Sequence, residues 1–107
     1  MLRVYPRYLA WLGSARQLIS AVERRDPDLG RQLRRAAASV ALNLAEGQGN
    51  EGGTRRQRYL SALGSAREVV ACLEVAEGLG FVSKPEAQLA ELSQVIAVLV
   101  RLAVGRR

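Results

Sequence analysis

A chain of 107 residues, 49% apolar, with one cysteine and no histidine, is long enough to bury one core without disulfides and too apolar to stay disordered. The missing histidine removes Ser-His-Asp and Cys-His catalysis and the Glu-x-x-His metal sites of di-iron bundles, and ten scattered acids suggest no carboxylate-only metal site. Fifteen arginines and one lysine leave a net charge of +6, which attracts phosphate polymers and anionic surfaces.

The first element predicted from the pattern is a helix from about Pro6 to Arg25. Proline suits a first helical turn. Tyr5, Tyr8, Leu12, Ala15, Ile19 and Val22 recur at a spacing of three and four, which makes one apolar stripe. Trp11 sits off that stripe, where partial core burial is expected ahead of a role as an interface anchor. Asp26-Pro27 then closes the first helix and opens the second, with Asp26 as N-cap.

The second helix runs from about Pro27 to Glu46. Leu29, Leu33, Ala36, Ala37, Val40 and Leu44 turn inward, while Arg31, Arg34 and Arg35 take other faces. Gly47 is expected to end it in the left-handed conformation. The third helix is expected from Thr54, a good N-cap, to Gly78 or Gly80, with Tyr59, Leu63, Ala66, Val70 and Leu73 as its stripe. Ser61, Gly64, Ser65, Glu68 and Cys72 form a second, small face. Gly64 in mid-helix costs about 1 kcal/mol relative to alanine, and close approach of another helix would account for it.

The fourth helix opens on Ser83-Lys84-Pro85-Glu86, a capping box. Leu89, Leu92, Ile96, Leu99 and Ala103 form its core stripe, and Val95, Val98, Val100 and Leu102 cover much of the rest. A helix apolar nearly all round is buried on more than one side. In a domain this small the second cover is expected from another subunit.

Tight turns and the lack of a low-complexity linker make residues 1–107 a single all-α domain, an antiparallel up-down-up-down four-helix bundle. Cys72 reads as a small buried hydrophobe in a reducing compartment. The apolar run at residues 95–100 is too short to span a bilayer, and no secretory signal is visible. A cytoplasmic protein without a membrane partner is expected.

The order of these features resembles the small four-helix bundle family of proteins encoded in intervening sequences of bacterial 23S ribosomal RNA genes. The accessory variability protein of diversity-generating retroelements is similar in pattern. The family runs from an arginine-rich approach through a serine and an apolar stretch to Asn-Ile-Ala-Glu-Gly, and then to Gly-Ser and a glutamate on the third helix. The counterparts in this chain are LRRAAASVALNLAEGQG and SALGSAREVVACLE. The match falls on Arg34, Arg35, Ser39, Asn43, Glu46, Gly47, Gly64, Ser65 and Glu68. Asn50 stands where the family often has an arginine, and Gly52-Gly53 loosens the turn. The resemblance implies a four-helix bundle assembled as a pentamer.

Three readings compete for residues 39–53. A phosphate cradle would need a preceding strand and usually a lysine. A carboxylate pair of Glu46 with Glu68 finds no other convergent catalytic group. The strongest reading is structural: Asn43, Glu46, Ser65 and Glu68 form a polar lock that fixes the register of helices two and three.

Arginines dominate residues 24–35, and residues 55–67 hold Arg55, Arg56, Arg58 and Arg67 without an acid. No known DNA-binding motif or aromatic RNA platform accompanies them. The expectation is a non-enzymatic homo-oligomer, without metal or cofactor, that binds RNA or DNA with little sequence preference. Arg55, Arg56 and Arg58 are the leading contacts and Arg31, Arg34 and Arg35 the next. The alternative is a protein-interaction or scaffold module with another protein as partner.

Overall fold

The computed structural model describes residues 3–104. Within them lie four helices: α1 (Val4–Arg25), α2 (Pro27–Gly49), α3 (Gly52–Gly78) and α4 (Glu86–Val104). Each packs on its neighbours in the cyclic order α1, α2, α3, α4, with α2 and α3 in the most extensive contact. Side-chain bonds fix the antiparallel sense. Tyr8 meets Ala37 while Arg34 meets Glu23, Ser39 meets Ser65 while Glu46 meets Arg58, and Trp11 meets Gln88 while Arg7 meets Glu91. The result is the expected up-down-up-down bundle, 42 × 22 × 20 Å.

The boundaries follow from local chemistry. Asp26 caps α2, accepting from the Leu29 amide at 3.0 Å, with Pro27 in the first turn. Gly80, at φ +80°, ends α3 in the left-handed region, with Phe81 N–H donating to Ala76 O and Gly80 N–H to Glu77 O. This six-to-one and five-to-two pair is the Schellman arrangement.

Three expected boundaries differ. Gly47 does not end α2. It is helical and buried, because the ring of Tyr59 lies against it so closely that a Cβ there would stand 2.5 Å from Cε1. Thr54 lies inside α3, which begins two residues earlier after Glu51, so it caps nothing. Lys84 at φ 53° separates Ser83 from α4, which starts at Glu86, and the expected capping box does not form in that register.

The core mixes long and short side chains. Tyr8 and Trp11 are fully buried and stacked with centroids 5.5 Å apart. The Tyr8 hydroxyl donates to Ala37 O and the Trp11 indole to Gln88 O, each at 2.8 Å, so α1 is tied to both its neighbours. Trp11, Val4 and Val95 are core residues, whereas Tyr5, Leu12, Leu89 and Ile96 from the expected stripes are half-buried. The stripes of α1 and α4 are therefore rotated slightly from those drawn on the sequence, whereas Leu33, Ala36, Ala37, Val40 and Leu44 of α2 are buried as expected. Cys72 is buried, as expected.

Gly64 is exposed, and nothing lies within 4 Å of the point a Cβ would occupy, so no helix of the same chain approaches it. Among the described residues α4 alone is long and apolar enough to cross a membrane, with a mean hydropathy of 1.5. In the bundle it buries Leu92, Val95, Leu99 and Ala103 completely, half-covers Leu89, Ile96, Val98, Val100 and Leu102, and leaves Val104 exposed.

Candidate nucleic-acid interface

The α2–α3 hairpin carries every candidate residue. The turn between its helices places the first two turns of α3 beside the last two of α2. Arg55, Arg56 and Arg58 therefore gather around the end of α2 and the end of α4. Arg55 Nε donates to Asn50 O at 2.7 Å, and Arg56 Nε donates to Ala103 O at 2.8 Å. Each bond uses one N–H of five, so the outer fork of the guanidinium remains open. Arg56 thereby ties the start of α3 to the last described turn of α4.

Arg58 is the member most engaged. Its Nη1 donates to Asn43 Oδ1 at 3.3 Å, and its Nε lies 3.6 Å from Glu46. Asn43 in turn donates from Nδ2 to Ser39 O at 3.0 Å and to Ser39 Oγ at 3.2 Å. The hydroxyls of Ser39 and Ser65 are hydrogen-bonded at 2.8 Å across the two helices.

This is the polar lock in altered form. Asn43 is half-buried and folds back onto its own helix, not into the gap between helices. The link from Asn43 to α3 runs through Arg58, which the sequence pattern assigns to nucleic acid alone. Ser39, a residue of the family pattern that the expected lock omits, is its centre. Its spacing of four from Asn43 is the available signal, since residues four apart share a helical face. Glu68 stands outside the lock. It is exposed and lines a polar cleft with Arg35, Gln32, Ser39 and Ser65, without an ion pair.

The second arginine set divides. Arg34 forms a two-point pair with Glu23 of α1, its Nη2 donating to Oε1 at 3.0 Å. That pairing holds the Glu23 carboxyl below its ordinary value, through the hydrogen bond first and the charge of Arg34 as well. Arg31 pairs with Asp28 one turn back at 3.2 Å. Arg35 has no carboxylate partner among the described residues. It shares an open groove with Leu42, Asn43, Glu46 and Arg58. The structure thus brings Arg35 and Arg58 to one surface and leaves Arg31 and Arg34 on others. No group of histidine, cysteine or acidic residues arranged to hold a metal occurs among the described residues.

A family model described as 23S rRNA-intervening sequence protein matches residues 13–102. The fold is also that of a crystal structure of a protein of unknown function from the S23 ribosomal protein family of Bacteroides thetaiotaomicron. The two align with a TM-score of 0.83 at 15% identity, over 96% of this chain and 100% of that one. No curated protein matches the chain.

Proposed function

The chain belongs to the family of 23S rRNA-intervening sequence proteins, and from that footing we propose that it is a non-enzymatic, self-assembling bundle that binds nucleic acid through its basic surface. One observation carries the reading. No charged side chain is buried among the described residues, so their surplus positive charge faces solvent. Of the thirteen arginines among the described residues, only Arg7, Arg31, Arg34 and Arg58 meet a carboxylate. The other nine keep their full charge for an outside partner.

Arg55 and Arg56 are the first contacts, each held by a backbone carbonyl with its outer fork free, and Arg58 and Arg35 flank the neighbouring groove. Arg31 and Arg34 contribute less, because a carboxylate already holds each of them. Arginine contacts to phosphate position a chain without reading its sequence, so DNA and RNA of any sequence bind alike. A homo-oligomer, a ring of five by resemblance, repeats this surface on one particle and adds the fields of its copies. Kinship with the accessory variability protein, a cytoplasmic location and the lack of any cofactor or membrane partner complete the proposal. A reverse transcriptase gene beside this one would support the kinship.

Equilibrium titration of a labelled duplex tests the reading. If about six phosphates are neutralised, the logarithmic salt dependence has a slope of roughly −5. Changing Arg55, Arg56 and Arg58 together to glutamine flattens that slope and weakens binding to all sequences alike, with helical content unchanged. If the parent shows no binding at about 50 mM salt, where counterion release favours it most, the nucleic-acid reading fails. The exposed Leu42, Leu9 and Leu60 then favour the protein-interaction module.

A further inference from the structure

The bundle can be divided by its own cross-links. Tyr8 to Ala37, Ser39 to Ser65, and Arg7 to Glu91 and Gln94 lie at about one level, because Arg7 adjoins Tyr8 on α1 and Ala37 is two residues from Ser39 on α2. On one side of that level are the start of α1, the α2–α3 turn and the last turns of α4. On the other are the α1–α2 and α3–α4 turns.

The charges divide unequally across it. The α2–α3 turn side holds Arg3, Arg55, Arg56, Arg58 and Arg101 against only Glu46 and Glu51. The far side is larger, and its eight basic residues face seven acids, Glu23, Asp26, Asp28, Glu68, Glu74, Glu77 and Glu86. Arg7 and Glu91 pair at the boundary and cancel. The net surplus among the described residues is therefore three positive charges on the smaller side and one on the larger. The arginine-rich approach at residues 31–35, prominent in the sequence, lies where acids from three other segments offset it.

We propose that a phosphate polymer docks across the α2–α3 turn end of the bundle, and that Arg3 and Arg101 contact it together with Arg55, Arg56 and Arg58. The proposal rests on the nucleic-acid reading and adds where and by which residues the polymer is held. Arg3 and Arg101 are exposed and have no carboxylate partner among the described residues. Arg55 and Arg56 have their Nε atoms fixed on carbonyls of two different helices, α2's cap and α4. Their forks are thereby ordered before any partner arrives, which lowers the entropy lost on contact. The opening N–H groups of α3 add a partial positive charge at the same end. The end measures about 20 Å across, a span over which a duplex presents about twelve phosphates, so five arginines are easily matched.

The test compares two variants of the full chain that remove equal charge, titrated with a short mixed-sequence DNA duplex and with single-stranded RNA. Arg3→Gln/Arg55→Gln/Arg101→Gln is expected to weaken both by more than about tenfold and to reduce the salt slope by about two to three. Arg16→Gln/Arg24→Gln/Lys84→Gln, on the far side, is expected to change affinity by less than about threefold, as a distant screened charge should. Thermal melts confirm that both are folded. Arg3→Lys/Arg55→Lys/Arg101→Lys separates charge from packing, and it should keep most of the parent's slope. If the far-side variant loses as much as the turn-side variant, or the turn-side variant binds like the parent, the placement is wrong while the nucleic-acid reading stands. If the parent itself does not bind at low salt, both fall.

Discussion

Two glycines that both lie inside helices have opposite surroundings. At Gly47 the ring of Tyr59 occupies the space a side chain would need, and the contact lets α2 and α3 close together beyond the Ser39–Ser65 bond. A buried ring cannot swing away, so Gly47→Ala is expected to destabilise the chain by about 1–3 kcal/mol by overpacking, despite alanine's better helix propensity. Gly64 has no such neighbour. Gly64→Ala is expected to stabilise α3 by about 0.5–1 kcal/mol, read as a rise in melting temperature of several degrees. A fall at Gly64 would instead place a second chain against that face. The buried hydroxyl of Tyr59 has no hydrogen-bond partner among the described residues. Burial raises its pKa, with the charge of Arg55 opposing that shift.

Among the elements, α4 carries the most half-covered large apolar side chains, beside the exposed Leu9, Leu42 and Leu60 of the other helices. Leu92, Val95, Leu99 and Ala103 are fully buried, but Leu89, Ile96, Val98, Val100 and Leu102 are half-covered and Val104 is 58% exposed. Half-covered apolar residues on both flanks of the buried stripe favour association at about 25 cal/mol for each Å² removed from water. Light scattering at micromolar concentration should therefore give a mass well above the 11.6 kDa of one chain. A clean monomer would reject self-association, and a dimer would reject the ring, which needs a head-to-tail contact that closes. Arg56 couples this element to the hairpin, since its bond to Ala103 O holds the end of α4 against the start of α3.

For the whole molecule, the titrating groups predict how stability varies with pH. The carboxyls of Glu23 and Glu91 are held below their ordinary value of 4.5 by hydrogen bonds from Arg34 and Arg7. A lowered folded-state pKa contributes stability that is present above the ordinary value and is lost as pH falls through the folded one. Burial pushes the Tyr8 phenol above its ordinary value of 10.0. That contribution is present below the ordinary value and is lost as pH rises beyond it. With no histidine in the chain, the next group to titrate on the alkaline side is Cys72, whose thiol burial raises from its ordinary 9.0, so its contribution too is lost as pH rises beyond that value. The melting temperature should stay level from about pH 6 to pH 8 and fall on both sides. A step near about pH 6.5, the ordinary range of histidine, would contradict this account.

Periodicity by itself determined the number of helices, their order, the Asp26 cap and the fold class, because each depends on residues within a turn or two of one another. It also placed the basic residues on helices two and three. What it could not determine was rotation and pairing. Trp11 and Val95 entered the core because the neighbouring helices turned those faces inward, a matter of packing that no single stripe encodes. Gly47 reads as a helix end until Tyr59, on the next helix, is known to lie on it. Arg34 and Arg58 read as free cations until Glu23 and Glu46 are found beside them. The balance of charge between the two sides of the bundle was equally hidden. It sums residues that are distant along the chain and adjacent only after four antiparallel helices have closed, and only the tertiary structure brings them together.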